Sequence, residues 1–241
     1  MKMPILYSYP ALCGVADNNP FGLKVYAFMR LCNLQFEHLH ILDTKNAPRG
    51  QLPYLVDGDL SIGDSDSIIA HLTEHNGITI DRGLSDSQRT LDHLVRRTLD
   101  DLYWPMSYSR WKDERFWPLF REIVLSAHPE IAESDINAAR EYNQLRYHYQ
   151  GIGRYDATQV YQRGIANLKA ISFLLGSSGF IFGAQPRSID AAVYGFVANI
   201  YFYDIDTPLK RFVIDSPNLV RHCKTLHAKI QAQSERAKSD S

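Results

Sequence analysis

Gly50-Gln51-Leu52-Pro53-Tyr54-Leu55, followed by Gly63-Asp64-Ser65-Asp66-Ser67-Ile68-Ile69, is the stretch from which the rest of the chain can be read. Leu52-Pro53 opens a short apolar run, Pro53-Tyr54-Leu55-Val56, that predicts a strand. Proline has no N–H, so it belongs at the first residue of a strand or on an edge. An X-Pro bond there can be cis, because its trans preference is only about 0.5–1 kcal/mol. A cis bond would turn the N–H and C=O of Leu52 outward, toward an extended ligand. Asp57-Gly58-Asp59 signals a hairpin that returns along Leu60-Ser61-Ile62. Asp64-Ser65 then precedes Ile68, Ile69 and Leu72, which are spaced for the buried face of a helix. A helix start with a hydroxyl and free N–H groups suits an anion, and Asp64 suits an amine. Together they fit an α-amino-acid head group. The plainer reading makes Asp64-Ser65 a helix cap and Pro53 an edge device.

Upstream, Ile5-Leu6-Tyr7-Ser8-Tyr9 predicts a first strand, stopped by Pro10. Ala11 to Asn19 is a loop. Asn19 suits a helix N-cap and Pro20 the first turn, where a missing N–H costs nothing. The helix is expected over Phe21 to Cys32, with Val25, Phe28, Met29 and Cys32 on one face, and a second strand over Gln35 to Leu42. The order β-α-β-loop-β-β-α is the thioredoxin-like pattern. Gly77 to Gly83 is punctuation, dividing an α/β domain (residues 1–78) from a second domain (residues 84–241). The second domain reads as all helical. Leu91, Leu94, Val95, Leu99, Leu102 and Met106 recur at helical spacing and run into Tyr103, Trp104, Tyr108 and Trp111. Further helices are expected over Asp113 to Ala127, Ile136 to Tyr149 (polar and exposed), Val160 to Leu175, Ile189 to Tyr203 and Leu219 to Ile230. Ile189 to Tyr203 is apolar enough for a central buried helix, and the tail after Gln231 is expected to fray.

The 241 residues suffice for a substantial core. Hydrophobic residues make up 45% and charged residues 22%, an ordinary globular composition. A net charge of −1 argues against a nucleic-acid or anionic-membrane surface. Three cysteines, Cys13, Cys32 and Cys223, fit neither a disulfide framework nor a zinc motif, which favours a reducing, cytoplasmic compartment. The nine histidines show no ligand spacing that supports a metal, and none is expected. No apolar run has the length of a membrane span or of a signal peptide.

A proline at a strand start, a hairpin, then an acid and Ser opening a helix, with an all-helical domain behind, resembles the glutathione transferases over nearly the whole chain. The resemblance implies that Leu52, beside Pro53, pairs with the cysteinyl backbone of glutathione and that Asp64 and Ser65 take its γ-glutamyl end. It implies glutathione as co-substrate, a small electrophile as second substrate, and a homodimer that buries the hairpin-side face. Asn19-Pro20-Phe21-Gly22-Leu23-Lys24 resembles the Ser-Pro-Phe-Cys-Leu-Lys opening of the branch holding failed axon connections and the metaxins. Tyr103-Trp104, Tyr108-Ser109-Arg110-Trp111, Gly151-Ile152-Gly153-Arg154 and Thr207-Pro208-Leu209-Lys210-Arg211-Phe212 also resemble that branch. Its members include non-catalytic proteins, so a binding or adaptor role is the alternative. Pro186-Arg187-Ser188-Ile189-Asp190 falls where the family caps its central helix with a hydroxyl and an Asp three residues on. Arg187 stands at the hydroxyl position, so either Ser188 caps or Asp190 acts alone.

The resemblance puts the thiolate-stabilising donor at Asn19, with Gly22 replacing the Cys of the related branch. An Asn amide can donate to a thiolate, and the N–H groups of Phe21 and Gly22 add to the field. The same Asn19 also reads as a plain cap. Tyr7, Tyr9 and Ser8 are competing donors. Without Cys at the aligned position, thiol transfer through a mixed disulfide lacks its nucleophile, and Cys13 is the nearby thiol. The second substrate is expected against the first long helix of the helical domain, lined by Tyr103, Trp104, Tyr108 and Trp111; packing is the competing role. Arg110 and Lys24 are candidates for the glycine carboxylate of glutathione, the ordinary alternative being solvated charges. Gly151-Ile152-Gly153-Arg154 lacks the preceding strand and following Lys-Ser/Thr of a phosphate loop.

Overall fold

The computed structural model describes residues 3–239, with side chains to 236. Four strands form one sheet: β1 (Ile5–Ser8), β2 (Glu37–His40), β3 (Tyr54–Asp57) and β4 (Leu60–Gly63), in the order β2-β1-β3-β4. β1 pairs parallel with β2 through the crossover helix α1 (Pro20–Leu31), and antiparallel with β3. α2 (Ser65–His75) follows the β3–β4 hairpin. This is the thioredoxin-like order. The second half is helical: α3 (Asp86–Trp111), α4 (Trp117–Ala127), α5 (Glu133–Gln150), a short 3₁₀ turn at Ile152–Arg154, then α6 (Ala157–Leu175), α7 (Ser188–Tyr201), α8 (Pro208–Ile214) and α9 (Pro217–Ser239).

Side-chain alternation in β1 sorts its residues by face. Leu6 and Ser8 point into the core, while Tyr7 lies flat on Tyr54 of β3 with ring centroids 4.4 Å apart. α7 is buried along almost its whole length, as its composition demands, and packs against α1. Gly195 permits that approach: a Cβ there would stand 2.6 Å from the Pro20 carbonyl and 2.9 Å from the Lys24 N–H. The two halves are therefore in backbone contact at the start of α1.

The start of α7 resolves the two alternatives left by its sequence. Asp190, fully buried, accepts from the Arg187 N–H (2.8 Å) and the Ile181 N–H (2.9 Å). Ser188 does not cap; its hydroxyl accepts from Arg96 (2.8 Å), and its N–H goes to Asp81 (3.0 Å). Arg187 donates to the carbonyls of Ile80 and Arg82. The glycine-flanked stretch at 77–83 is thus tied to α7 through Asp81 and two carbonyls.

Several expectations need correction. α9 does not fray after Gln231 but continues to Ser239, and the Tyr26 hydroxyl meets Ser234 at 2.6 Å, which anchors that end against α1. α4 starts at Trp117 rather than Asp113, because Asp113 is spent accepting the Phe116 and Trp117 region: its carbonyl takes their N–H groups and its carboxylate takes Arg115 and Tyr161. α5 is not simply an exposed polar helix; Ile136, Asn143 and Tyr147 form a buried face. α8 was invisible to periodicity, being seven residues long, although Thr207 caps it through the Lys210 N–H (3.1 Å). Gly151, at φ +104°, ends α5 in the left-handed region that glycine adopts freely.

Candidate functional site

α1 begins where Asn19 caps it. Asn19 Oδ1 accepts from the Phe21 N–H at 2.9 Å, which fixes the amide and leaves Nδ2 without a partner among the described residues. Behind the cap sits a group the sequence reading passed over. Asp17 is fully buried; its Oδ1 accepts from the Asn19 N–H at 2.7 Å, and its Oδ2 has no hydrogen-bond partner. Burial pushes this carboxyl well above its ordinary value, and the neighbouring Asn19 N–H, Ser8 and Arg110, which pull the other way, do not offset it. The acid lies on Gly22: a Cβ at that position would stand 1.6 Å from Asp17 Oδ2. The carboxyl therefore fills the space beside position 22 that a side chain there would need. A glycine in the first turns of a helix, where it costs stability, is the one sequence signal that could have pointed to it.

α2 begins with the opposite arrangement. Asp64, at φ +79° and ψ +126°, is in a conformation that non-glycine residues seldom adopt. Its carboxylate accepts from the Ser67 N–H (2.9 Å) and hydroxyl (3.1 Å), so it caps the helix. Ser65 is buried, and Lys24 from α1 reaches its hydroxyl at 3.1 Å. Lys24 also pairs with Asp66, whose carboxylate further takes Arg96 (2.9 Å) and Arg97 (2.9 Å). Burial would raise the Asp66 carboxyl, yet Lys24 and Arg96 outweigh it and hold it below its ordinary value. Burial lowers Lys24 in turn. The N–H groups of Ser65 and Asp66 have no partner among the described residues, the usual state of a helix start.

The Leu52–Pro53 peptide bond is cis, and neither the N–H nor the C=O of Leu52 has a partner among the described residues. Leu52 itself packs with Ala47 and Tyr54, next to Tyr7 and Tyr9.

A cavity of about 510 Å³ lies between the halves, a volume ordinary for a small-molecule site. Tyr9 and Pro10 bound it from the end of β1, and Asn18, Asn19 and Pro20 from the start of α1. α3 contributes Tyr103, Met106, Arg110 and Trp111; α5 contributes Ile136, Tyr142 and Arg146. Phe120 and Val124 add apolar wall from α4. Tyr9 deserves its place among the donors: its hydroxyl has no partner among the described residues, and burial pushes it up to about 12, so it stays protonated. Tyr7 is stacked on Tyr54, and the Ser8 hydroxyl is spent on His38 (2.7 Å) and the Tyr9 carbonyl. Neither lines the cavity.

Of the residues expected along α3, Tyr103 and Trp111 line the cavity; Trp104 and Tyr108 do not. Trp104 packs edge-on to Tyr103 and Tyr147, and Tyr108 packs on Tyr147 and Tyr161, the packing alternative for both. Trp104 is held by Tyr147 of α5 instead, although it lies one two-turn repeat before Trp111. Lys24 and Arg110 are not solvated charges: they are 3% and 5% exposed. Arg110 donates to the carbonyl and side chain of Asn18 (2.7 and 2.9 Å) and of Asn199 (2.7 and 3.1 Å), bolting the loop before α1 to α3 and α7. Cys13 lies outside the cavity, in the loop beside Leu12 and Tyr203.

A sequence model of the glutathione S-transferase N-terminal domain matches residues 20–116, and one of the glutathione S-transferase C-terminal domain matches residues 164–226. The chain belongs to the glutathione S-transferase superfamily. Within it the relatives are of the metaxin-like type as well as enzymes. Isoprene-epoxide–glutathione S-transferase of Rhodococcus sp. (strain AD45) is 28% identical over 93% of this chain and 98% of its own length. Failed axon connections of Drosophila melanogaster is 23% identical over 93% of this chain and 57% of that protein, so the present chain spans little more than half of it. Metaxin-2 of Mus musculus is 22% identical over 87% of this chain and 81% of its own. In fold, a beta-etherase from Sphingobium sp. strain SYK-6 superposes with a TM-score of 0.68 at 14% identity, covering 98% of this chain and 100% of that one. Asn19 and Asp17 precede the N-terminal match, which starts at Pro20.

Among the described residues no helix is long and apolar enough to cross a membrane.

Proposed function

We propose that this protein binds glutathione in the α/β half (residues 1–78) and joins its thiol to a small electrophile held against the helical half (residues 84–241). The observation that carries the reading is the unpartnered backbone of Leu52. A backbone donor and acceptor left free at a strand entrance can both be met at once by an extended peptide. The start of α2 serves the γ-glutamyl end: Ser65 and the free N–H groups receive its carboxylate, with Lys24 behind the hydroxyl, and Asp64 receives its amine. The thiolate lies at the start of α1, where the helix field, the Asn19 Nδ2 amide and the Tyr9 hydroxyl are donors facing one cavity. Donors fixed before the reaction begins stabilise a thiolate without reorganising. The electrophile occupies the cavity beside Tyr103 and Trp111, and its mostly apolar wall suits a small organic substrate.

The relatives support this reading unequally. The Rhodococcus relative is named as a transferase, whereas Failed axon connections and Metaxin-2 are not. The second reading, a glutathione-transferase-fold adaptor without turnover, is favoured by one observation: Asp17 fills the space beside Gly22, so α1 has no side-chain nucleophile or hydroxyl at that position. Two copies pair through the hairpin-side face in the first reading, in the cytoplasm.

Calorimetry with glutathione and a turnover assay with a chlorinated nitroaromatic and a small epoxide separate the two. Saturable binding with turnover supports transfer; binding without turnover supports the adaptor; absence of both removes the glutathione reading. Asn19→Ala and Tyr9→Phe then apportion the donor. We expect Asn19→Ala to lower turnover about tenfold or more with glutathione affinity little changed, the pattern of a contact made in the transition state. Unchanged turnover in that variant together with a large loss in Tyr9→Phe would move the role to the tyrosine. Sedimentation velocity tests the dimer.

A further inference from the structure

Within the α/β half, β3 and α2 bring together three groups that the proposed transfer does not use. Asp57 is the last residue of β3, and His71 and His75 lie one turn apart on α2. One ligand atom from each falls within 4.8 Å of the others. His71 Nε2 meets Asp57 Oδ2 at 2.8 Å, both half-buried, and the exposed His75 ring stacks on His71 with centroids 5.4 Å apart and planes 13° from parallel. The His75 ring nitrogens have no hydrogen-bond partner among the described residues. None of the three residues lines the cavity.

We propose that Asp57, His71 and His75 form a binding site for a borderline divalent transition metal, zinc above all. Two imidazoles and one carboxylate are a donor set that zinc accepts, with water completing the coordination. The spacing has a physical reason: residues four apart on a helix lie on one face, so two histidines at 71 and 75 converge without help from the rest of the fold. Tetrahedral zinc at about 2.0–2.1 Å from each ligand separates its ligand atoms by about 3.4 Å. The three atoms are therefore within roughly 1.5 Å of closing distance. His75, which is exposed and free to turn, closes in, while His71 and Asp57, now 2.8 Å apart, open by roughly 0.6 Å. The metal would replace the proton shared by His71 and Asp57, and it would tie the last turn of α2 to the end of β3. Those two elements carry Ser65 at one end and follow Pro53 at the other, so the metal would brace the platform rather than join the chemistry. No metal is expected here from the sequence: two histidines four apart are not a site until the hairpin brings Asp57, fourteen residues earlier, beside them.

The test uses the full chain after dialysis against a chelator. Titration with zinc chloride should show one site per chain and a rise in melting temperature, since a ligand that binds only the folded state stabilises it. Cobalt(II) in place of zinc should give the visible absorption of a low-symmetry nitrogen–oxygen site. His75→Ala should raise the zinc dissociation constant at least about tenfold and abolish the thermal shift. Because His75 is exposed, this variant keeps its fold, which circular dichroism checks; Asp57→Asn should act in the same direction. No zinc binding by the parent chain, or one-to-one binding left intact in His75→Ala, would overturn the proposal.

Discussion

The starts of α1 and α2 face the same task with opposite charges behind them. At α1 the cap is a neutral amide, Asn19, and the buried group behind it is an acid, Asp17, whose second oxygen has no partner. At α2 the cap is a carboxylate, Asp64, and the buried group behind it is a cation, Lys24, paired with Ser65 and Asp66. A buried lysine beside a hydroxyl prepares a helix start for an anion such as an amino-acid carboxylate. A buried acid does so only while it holds its proton, because its ionised form would repel the thiolate that the helix is proposed to attract. The two ends are also linked in one helix, since Lys24 is two residues from Gly22, the residue against which Asp17 rests.

The sharpest break in that comparison is Gly22→Ala. Its Cβ would sit 1.6 Å from the oxygen of a fully buried carboxyl, so a loss of about 2–3 kcal/mol is expected by urea denaturation, the upper range of overpacking. Adding Asp17→Ala should return a large part of that loss, since the two positions share one space. Recovery of nothing would show that Gly22 is needed for another reason. Lys24→Met should come next, at about 1.5–3 kcal/mol, the worth of a hydrogen bond to a charged group. The size is limited because Arg96 and Arg97 still serve Asp66. The same variant should weaken glutathione binding, and an unchanged affinity would detach Lys24 from the γ-glutamyl end. Asp64→Ala should be smaller in stability, about 1 kcal/mol for a lost cap.

The subtlest effect is one of pH. Asp17 in the folded chain keeps its proton above the 3.8 at which an unfolded carboxyl releases it. Folding therefore takes up a proton in that window, and the stability that Asp17 contributes falls as pH rises from about 4 through its folded value. Asn in its place accepts the same Asn19 N–H and cannot ionise. The stability difference between Asp17→Asn and the parent should grow with pH above about 4 and level off once the parent carboxyl is ionised. Denaturation midpoints measured from pH 4 to 8 check it, and a flat difference would mean that Asp17 is ionised throughout. Taking the difference removes the opposing contributions of Asp66 and Asp113, both held below their ordinary values and shared by the two proteins.

The parts of the site that were legible in the sequence are those set by neighbours along the chain. Asn19-Pro20 announces a helix start and Asp64-Ser65 another, because caps act within three residues. What escaped notice depends on residues far apart. Asp17 was one residue of a turn-rich loop until packing laid it on Gly22. Arg110 looked like an exposed charge on a helix until it was buried between Asn18 and Asn199, which are 181 positions apart in the chain. Trp104 and Tyr108 read as cavity lining because an aromatic run does not say which ring faces which neighbour.

By itself, then, the sequence determined the order of strands and of every helix but the short α8, the Pro53 position at a strand entrance and most of the apolar faces, since all of these follow from backbone chemistry and short-range periodicity. The tertiary structure alone decided which charges are buried, where the Asp17 carboxyl rests, and that Asp57 stands beside two histidines. The physical reason is that burial and electrostatic pairing are properties of contacts made across the chain, and no local pattern carries them.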